Sequence, residues 1–197
     1  ISSSSVPLFK YTYDDKGNIS SYYESPSDCM NRYYYDLTDR LTGITSSKGY
    51  SIDIEYDKNN NISKTTEKQK EVKRDFVTEN TYNADNLIEK IKIGTSSLDI
   101  TYDGINRINQ TVVKDGDSTV IDTFNSYDDS PFPNSPRMKA SSRLKSVTNK
   151  VNDSSQRYNS YYEYDNYGRI SKYKETFVQG LSGSKNLADT SYTYDDF

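Results

Sequence analysis

The sequence predicts an all-β protein: tandem antiparallel β-hairpin repeats that form an extended, curled or spiralling sheet. Three observations predict it. A Tyr-Asp pair recurs along the 197 residues inside a fixed pattern of residue classes. The residues before the pair alternate between apolar and polar, which is the period of a half-buried strand. The chain also holds 20 Tyr, while Leu, Ile, Val and Phe make up just under a fifth of it. Amphipathic rings must therefore supply much of the apolar surface.

The strand comes first in each repeat. Tyr50, Ile52, Ile54 and Tyr56 fall on one face of their segment, as do Leu98, Ile100 and Tyr102 in theirs. A turn follows. Asp14, Asp36, Asp57, Asp103, Asp128, Asp165 and Asp195 stand directly after Tyr13, Tyr35, Tyr56, Tyr102, Tyr127, Tyr164 and Tyr194. An Asp side chain accepts backbone N–H bonds two residues on and so starts a turn. After Tyr82 the residue is Asn83, which keeps that acceptor. Four residues after the Tyr, the six complete copies carry Gly17, Asp39, Asn60, Asn86, Asn106 and Gly168. Gly, Asn and Asp are the residues that best tolerate a left-handed backbone. Two residues further, Ile19, Leu41, Ile62, Ile88, Ile108 and Ile170 open the return strand. The unit is a hairpin closed by a type I turn with a left-handed residue. On propensity alone, Gly in place of Asn86 or Asn106 is expected to be neutral or mildly stabilising, and Val in place of Gly17 or Gly168 to be costly.

The central tyrosines recur every 20 to 26 residues as far as Tyr127 and at longer intervals beyond it. The reading is a single domain over 1–197 with about seven hairpins and insertions near 128–142 and 179–189. The first insertion holds three of the five Pro, and Pro cannot donate to a ladder, so pairing is expected to resume near Arg143 and Leu144. Gln179 to Asn186 reads as a flexible turn or linker. The charge run from Thr65 to Asp75 reads as the solvated face of a long hairpin, or as one or two helical turns.

Composition excludes several function classes. Lys and Arg (25) nearly balance Asp and Glu (29) and are interleaved, so no stripe suits a nucleic-acid backbone. Mean hydropathy is −0.96, and no apolar run approaches the roughly 18 residues of a membrane span. There is no His, which removes His-based triads and most zinc sites. Cys29 is the single Cys, so no internal disulfide forms, and without His it is a poor nucleophile. Asp57 to Asn61 imitates the start of a calcium loop, but Ile62 and Lys68 stand where Gly and Glu are needed. The Asp residues recur at one turn position, which turn formation explains without carboxylate catalysis. The expectation is a non-enzyme with no cofactor and no metal.

The unit is met most fully as Tyr-Glu-Tyr-Asp-Asn-Tyr-Gly-Arg-Ile at 162–170. It resembles the consensus of the YD or RHS repeat family, over nearly the whole chain from Tyr11 to Asp195. Members of that family are long secreted or surface proteins of bacteria, with relatives in insecticidal toxin complexes and in animal teneurins. Their repeats form a spiralling β-sheet shell, which in many bacterial members encloses a toxin domain released by an aspartyl autoprotease motif. This sequence holds no Asp-Pro dipeptide, so the usual releasing signature is missing.

The resemblance implies a structural role, as a segment of a secreted or cell-surface shell. Its partners would be other parts of a longer repeat protein or an enclosed domain. The alternative is a tyrosine-rich surface that binds carbohydrate or protein. Tyr22-Tyr23, Tyr33-Tyr34-Tyr35 and Tyr161-Tyr162 put rings on both faces of their strands, so Tyr22, Tyr23, Tyr34 and Tyr161 are the candidates for such binding. Unpaired strand edges at the terminal hairpins lead to an expectation of weak self-association.

Overall fold

The computed structural model of the chain describes residues 8–128, 143–151, 156–179 and 184–194. Every regular element among them is a β-strand. Contacts divide the chain into two compact units, residues 1–94 and 95–197. The first holds β1 (Phe9–Tyr13), β2 (Ile19–Glu24), β3 (Cys29–Tyr35), β4 (Leu41–Ser46), β5 (Tyr50–Tyr56), β6 (Ile62–Gln69), β7 (Phe76–Tyr82) and β8 (Ile88–Ile93). The second holds β9 (Ser96–Tyr102), β10 (Ile108–Asp115), β11 (Ser118–Asp128), β12 (Arg143–Val151), β13 (Gln156–Tyr164), β14 (Ile170–Gln179) and β15 (Ser184–Ser191).

Within each unit every strand pairs antiparallel with its neighbours in sequence, without a crossover. β1, β3, β5, β9 and β13 each lead into a Tyr-Asp turn and β7 into a Tyr-Asn turn, and β2, β4, β6, β8, β10 and β14 return from one. The charge run after Thr65 belongs to β6 and to the turn before Phe76, so it is the hairpin and not a helix. The linker expected through Asn186 is shorter than the sequence suggested. Ser184, Lys185 and Asn186 already lie in β15, opposite Val178, Phe177 and Thr176, because Ser-Lys-Asn can pair as readily as it can loop. The Pro-rich insertion, apart from Asp128 at the end of β11, and Asp195 lie outside the described residues.

Alternation sorts the side chains onto two faces. One carries Tyr11, Tyr22, Tyr33, Ile44, Ile52 and Ile54, with Tyr33, Ile44 and Ile52 in one row across β3, β4 and β5. The other carries charge. Glu55, Lys64, Glu79 and Lys92 stand opposite one another across β5 to β8, with the Lys64–Glu55 and Lys92–Glu79 pairs at 3.0 and 3.8 Å. Opposite charges directly across a ladder favour this register and no other. No hydrophobic side chain is fully buried among the described residues, and the one buried polar residue is Thr176, 7% exposed. Each unit therefore lacks a core in the ordinary sense. Its order rests on ladders, on cross-strand pairs and on what happens at the turns.

Candidate functional site

The Tyr-Asp turns are the most elaborately bonded part of the chain. In the first, the Gly17 N–H donates to the Asp14 carbonyl at 3.1 Å and the Asp14 N–H to the Asn18 carbonyl at 2.9 Å. The register slips by one at Tyr13, opposite Ile19. That is a type I turn closed by a left-handed residue and a bulge. Gly17, Asp39, Asn60, Asn86, Asn106 and Gly168 all have φ between 59° and 89°. The turn carboxylate fixes the loop from inside. Asp14 Oδ1 accepts the N–H of Lys16 at 3.0 Å and of Asn18 at 2.8 Å. Asp36, Asp57, Asp103 and Asp165 repeat this pair of bonds, and the amide oxygen of Asn83 makes it without charge. Ionisation strengthens these bonds where the acceptor is a carboxylate. The Arg40 and Arg107 backbone N–H groups hold Asp36 and Asp103 below the usual carboxylate range. At Asp14, Asp57 and Asp165 burial opposes ionisation, and the hydrogen bonds outweigh it.

The repeated Tyr ties each hairpin to the one before it. The Tyr35 hydroxyl donates to the Ile19 carbonyl at 3.0 Å, Tyr56 to Leu41 at 2.8 Å, and Tyr82 to Ile62 at 2.9 Å. Tyr127 reaches Ile108, Tyr164 reaches Leu144 and Tyr194 reaches Ile170, each at 2.7 Å. One register rule governs all six. The residue three before the Tyr pairs with the residue two after the acceptor: Arg32 with Ser21, Asp53 with Gly43, Glu79 with Lys64, Phe124 with Gln110, Tyr161 with Ser146, and Ser191 with Lys172. The hydroxyl thus takes a carbonyl just beyond the point where backbone pairing stops.

The residue before that aliphatic position had no task assigned from sequence, and the structure gives it two. Arg40 Nε lies 2.7 Å from Asp36 Oδ2, Arg107 Nε 2.6 Å from Asp103 Oδ2, and Arg169 Nε 2.6 Å from Asp165 Oδ2. The same guanidinium groups sit over the next tyrosine, Arg40 on Tyr56 at 4.5 Å, Arg107 on Tyr127 at 4.3 Å and Arg169 on Tyr194 at 4.3 Å. Arg143 stacks on Tyr164 at 5.3 Å and pairs in register with Asp128. The copy that begins at Tyr127 is thus completed by Arg143 and Leu144, across the insertion. The clue was in the sequence, as a basic or amide residue before the aliphatic position in most copies.

The left-handed side chains are also employed. Asp39 Oδ1 accepts from Lys16 Nζ at 2.7 Å and Asn18 Nδ2 at 3.3 Å. Asn60 Oδ1 accepts from Arg40 Nη1 at 2.7 Å, and Asn86 Oδ1 from Asn59 and Asn61 at 3.0 and 3.2 Å. This corrects the expectation for Asn86→Gly, since Gly would relax the backbone and delete two bonds to the preceding turn.

The four candidate binding tyrosines are not brought together. Tyr22 lies on the face of the repeat tyrosines, against Tyr11 at 4.9 Å and Phe9 at 6.1 Å. Tyr23 is on the opposite face, with its hydroxyl on Asp28 at 3.2 Å. Tyr34, 49% exposed, stands opposite Gly43. A Cβ at Gly43 would lie 3.6 Å from the Tyr34 ring, an ordinary van der Waals contact. Tyr161, 45% exposed, lines an open groove of about 480 Å³ with Asn159, Lys172, Lys174 and Thr176. Cys29 Sγ lies 3.3 Å from the Ser46 hydroxyl. No group of three or more Cys, Asp or Glu among the described residues is placed to hold a metal ion. The Asp57 carboxylate, at the calcium-like segment, is used by its own turn. Among the described residues no helix is long and apolar enough to cross a membrane.

The fold and the turn geometry define an antiparallel repeat sheet. No family model and no curated protein matches the sequence. Among solved structures, the chain is similar to a TcdB2-TccC3 chain, at 12% identity and a TM-score of 0.40 over 96% of this chain and 12% of that one. A second is the Photorhabdus luminescens Tc holotoxin pore, at 13% identity and a TM-score of 0.36 over 93% and 9%. A third is a porin-like protein from Bacteroides uniformis, at 13% identity and a TM-score of 0.42 over 94% and 88%. The chain spans about an eighth or less of the two toxin chains.

Proposed function

We propose that this chain is a non-catalytic structural module, a stretch of wall in a secreted or cell-surface bacterial shell of the YD or RHS kind. Such a wall encloses or presents another domain. The observation that carries the reading is the tyrosine latch: six hydroxyls bond the carbonyl of the preceding hairpin in one register. A device that fastens each repeat to the previous one serves continuity of a surface, and it uses the side chains that a site would need. The test uses the full-length protein in its source cells. Protease applied to intact cells should release peptides of this chain, and the adjoining domain should resist cleavage until the shell is denatured. Recovery only from the cytosolic fraction, with the adjoining domain equally cleaved in both states, would overturn the reading.

The groove beside Tyr161 favours a second reading, binding of carbohydrate. An exposed ring beside Asn159, Lys174 and the buried Thr176 hydroxyl offers a stacking face with donors at its foot. Affinity electrophoresis against acidic and neutral cell-wall polysaccharides checks this. Retardation by one of them that Tyr161→Ala abolishes would establish it, and no retardation by any would dismiss it.

A further inference from the structure

Tyr13 is the repeat tyrosine at the edge of the sheet. It is 61% exposed, its hydroxyl makes no hydrogen bond among the described residues, and among the described strands β1 pairs with β2 alone. The Ser25 N–H bonds the Leu8 carbonyl, and Lys10 and Thr12 follow it in the alternation opposite Tyr23 and Ser21. The N–H and C=O groups of Phe9 and Tyr11 therefore point away from β2. Phe9 and Tyr11 are themselves half exposed, at 51% and 50%. From the other side, β1 has everything that β3, β5 and β7 present to the return strand before them.

We infer that the edge of β1 that no described strand covers is a docking site for one kind of partner, the return strand of a further Tyr-Asp repeat. This rests on the repeat-wall reading and deepens it by stating what the edge selects. Placing Tyr13 on Tyr35 puts Lys10 where Arg32 stands. The incoming strand then sets one residue opposite Lys10, as Ser21 is set opposite Arg32, and the carbonyl two residues earlier receives the Tyr13 hydroxyl. The residue before that carbonyl falls over the Tyr13 ring, as Arg40 falls over Tyr56, which favours Arg there. Strand addition of this type takes affinity from the backbone and specificity from alternate side chains.

A second copy of this chain is a poorer occupant than a further repeat. The return strands β2, β4, β6, β10, β12 and β14 are each flanked on both sides, so a copy has none of these to lend. Two identical edge strands that meet at β1 would bring a tyrosine hydroxyl to each side and no return-strand carbonyl.

The probe is a labelled synthetic peptide with the sequence of residues 107–115, Arg-Ile-Asn-Gln-Thr-Val-Val-Lys-Asp, which supplies both the stacking Arg and the acceptor carbonyl. Anisotropy with the whole chain should show saturable binding, and a scrambled peptide should bind at least tenfold more weakly. Tyr13→Phe keeps the ring and removes one hydrogen bond, so it should weaken the intact peptide about fivefold. A peptide lacking the Arg-Ile pair should bind weakly to both proteins and no longer distinguish them. Absence of binding, equal binding of the scrambled peptide, or an unchanged Tyr13→Phe would each overturn the inference. So would a dimer of the parent in sedimentation velocity that Tyr13→Phe dissolves. None of these results touches the cell-surface experiment, so the wall reading stands or falls separately.

Discussion

The latch predicts a measurable difference between two tyrosines of the first unit. The Tyr56 hydroxyl donates to the Leu41 carbonyl at 2.8 Å, beyond Gly43, where the β4–β5 pairing begins. It stands in for a backbone N–H at that point. Tyr56→Phe leaves the ring beneath Arg40 and strands a partly buried carbonyl, which costs about 1 kcal/mol. Tyr56→Leu also removes the ring and its cation, for about 0.5–1 kcal/mol more. Tyr34 is the control. Its hydroxyl meets only the Thr45 hydroxyl at 3.3 Å on an exposed face, where water replaces the bond, so Tyr34→Phe should change stability by less than about 0.3 kcal/mol. Urea unfolding followed by circular dichroism reads the difference. With a slope of about 2 kcal/mol/M, Tyr56→Phe should lower the midpoint by about 0.5 M. Equal midpoints for Tyr56→Phe and Tyr34→Phe would mean that the repeated hydroxyl is ornamental, and the latch would lose its claim to hold the sheet.

Other predictions follow from the same turns. Asn86→Gly and Asn106→Gly gain the same backbone relief, but only Asn86 loses two bonds to the preceding turn. Asn86→Gly should therefore come out about 0.5 kcal/mol less stable than Asn106→Gly in urea, and equality would show the inter-turn bonds to be idle. Acid should weaken the protein from the turns inward. The depressed pKa values of Asp14, Asp36, Asp57, Asp103 and Asp165 mean stability that is present above the ordinary carboxylate range and lost as pH falls through and below about 4. A thermal midpoint that stays level between pH 6 and pH 2.5 would contradict this. Alkali should act on the latches. Burial holds Tyr35, Tyr82 and Tyr127 above the usual phenol value, so their contribution persists below about pH 10 and is lost as pH rises through their folded values. The last fraction of the phenolate absorbance should rise in step with loss of the strand signal, and a strand signal that survives the whole rise would refute it.

The hairpins were legible because each needs only neighbouring residues: an alternating strand, an acceptor, a residue free to adopt positive φ, and an aliphatic start to the return. What escaped the sequence was every relation between one hairpin and the next. Nothing in Tyr-Asp says that the hydroxyl belongs to the previous repeat and the carboxylate to its own turn, because that assignment depends on the stagger of paired strands. For the same reason Arg40, Arg107, Arg143 and Arg169 looked like incidental polar residues. The side-chain bonds of Asn86 escape the sequence in the same way, because their partners Asn59 and Asn61 lie in the preceding turn. The linker after Gln179 was misjudged from composition, because Ser, Lys and Asn pair in a ladder once β14 provides one. The ring contacts of Tyr22 are not legible in its local pattern, because its neighbours Tyr11 and Phe9 come from a different strand.

A sheet unit with no buried hydrophobic side chain among its described residues cannot draw its stability from an interior, and the turns explain what replaces one. In the second repeat, Asp36 closes its own loop, Arg40 neutralises Asp36, and the same guanidinium reaches Asn60 and covers Tyr56. Tyr56 in turn holds Leu41. The set therefore bonds inside one repeat and, through Arg40 and Tyr56, across to the next, so a hairpin is stable only while its neighbour is in place. Stability in such an array is a sum of terms between neighbours rather than a property of a common core. Loss of one Arg should then loosen two hairpins together and leave distant ones unchanged. Hydrogen exchange of Arg107→Ala should show faster exchange in β10 and β11, with β13 and β14 at parental rates. Uniform acceleration across the second unit would mean that a shared interior, not the chain of latches, holds it.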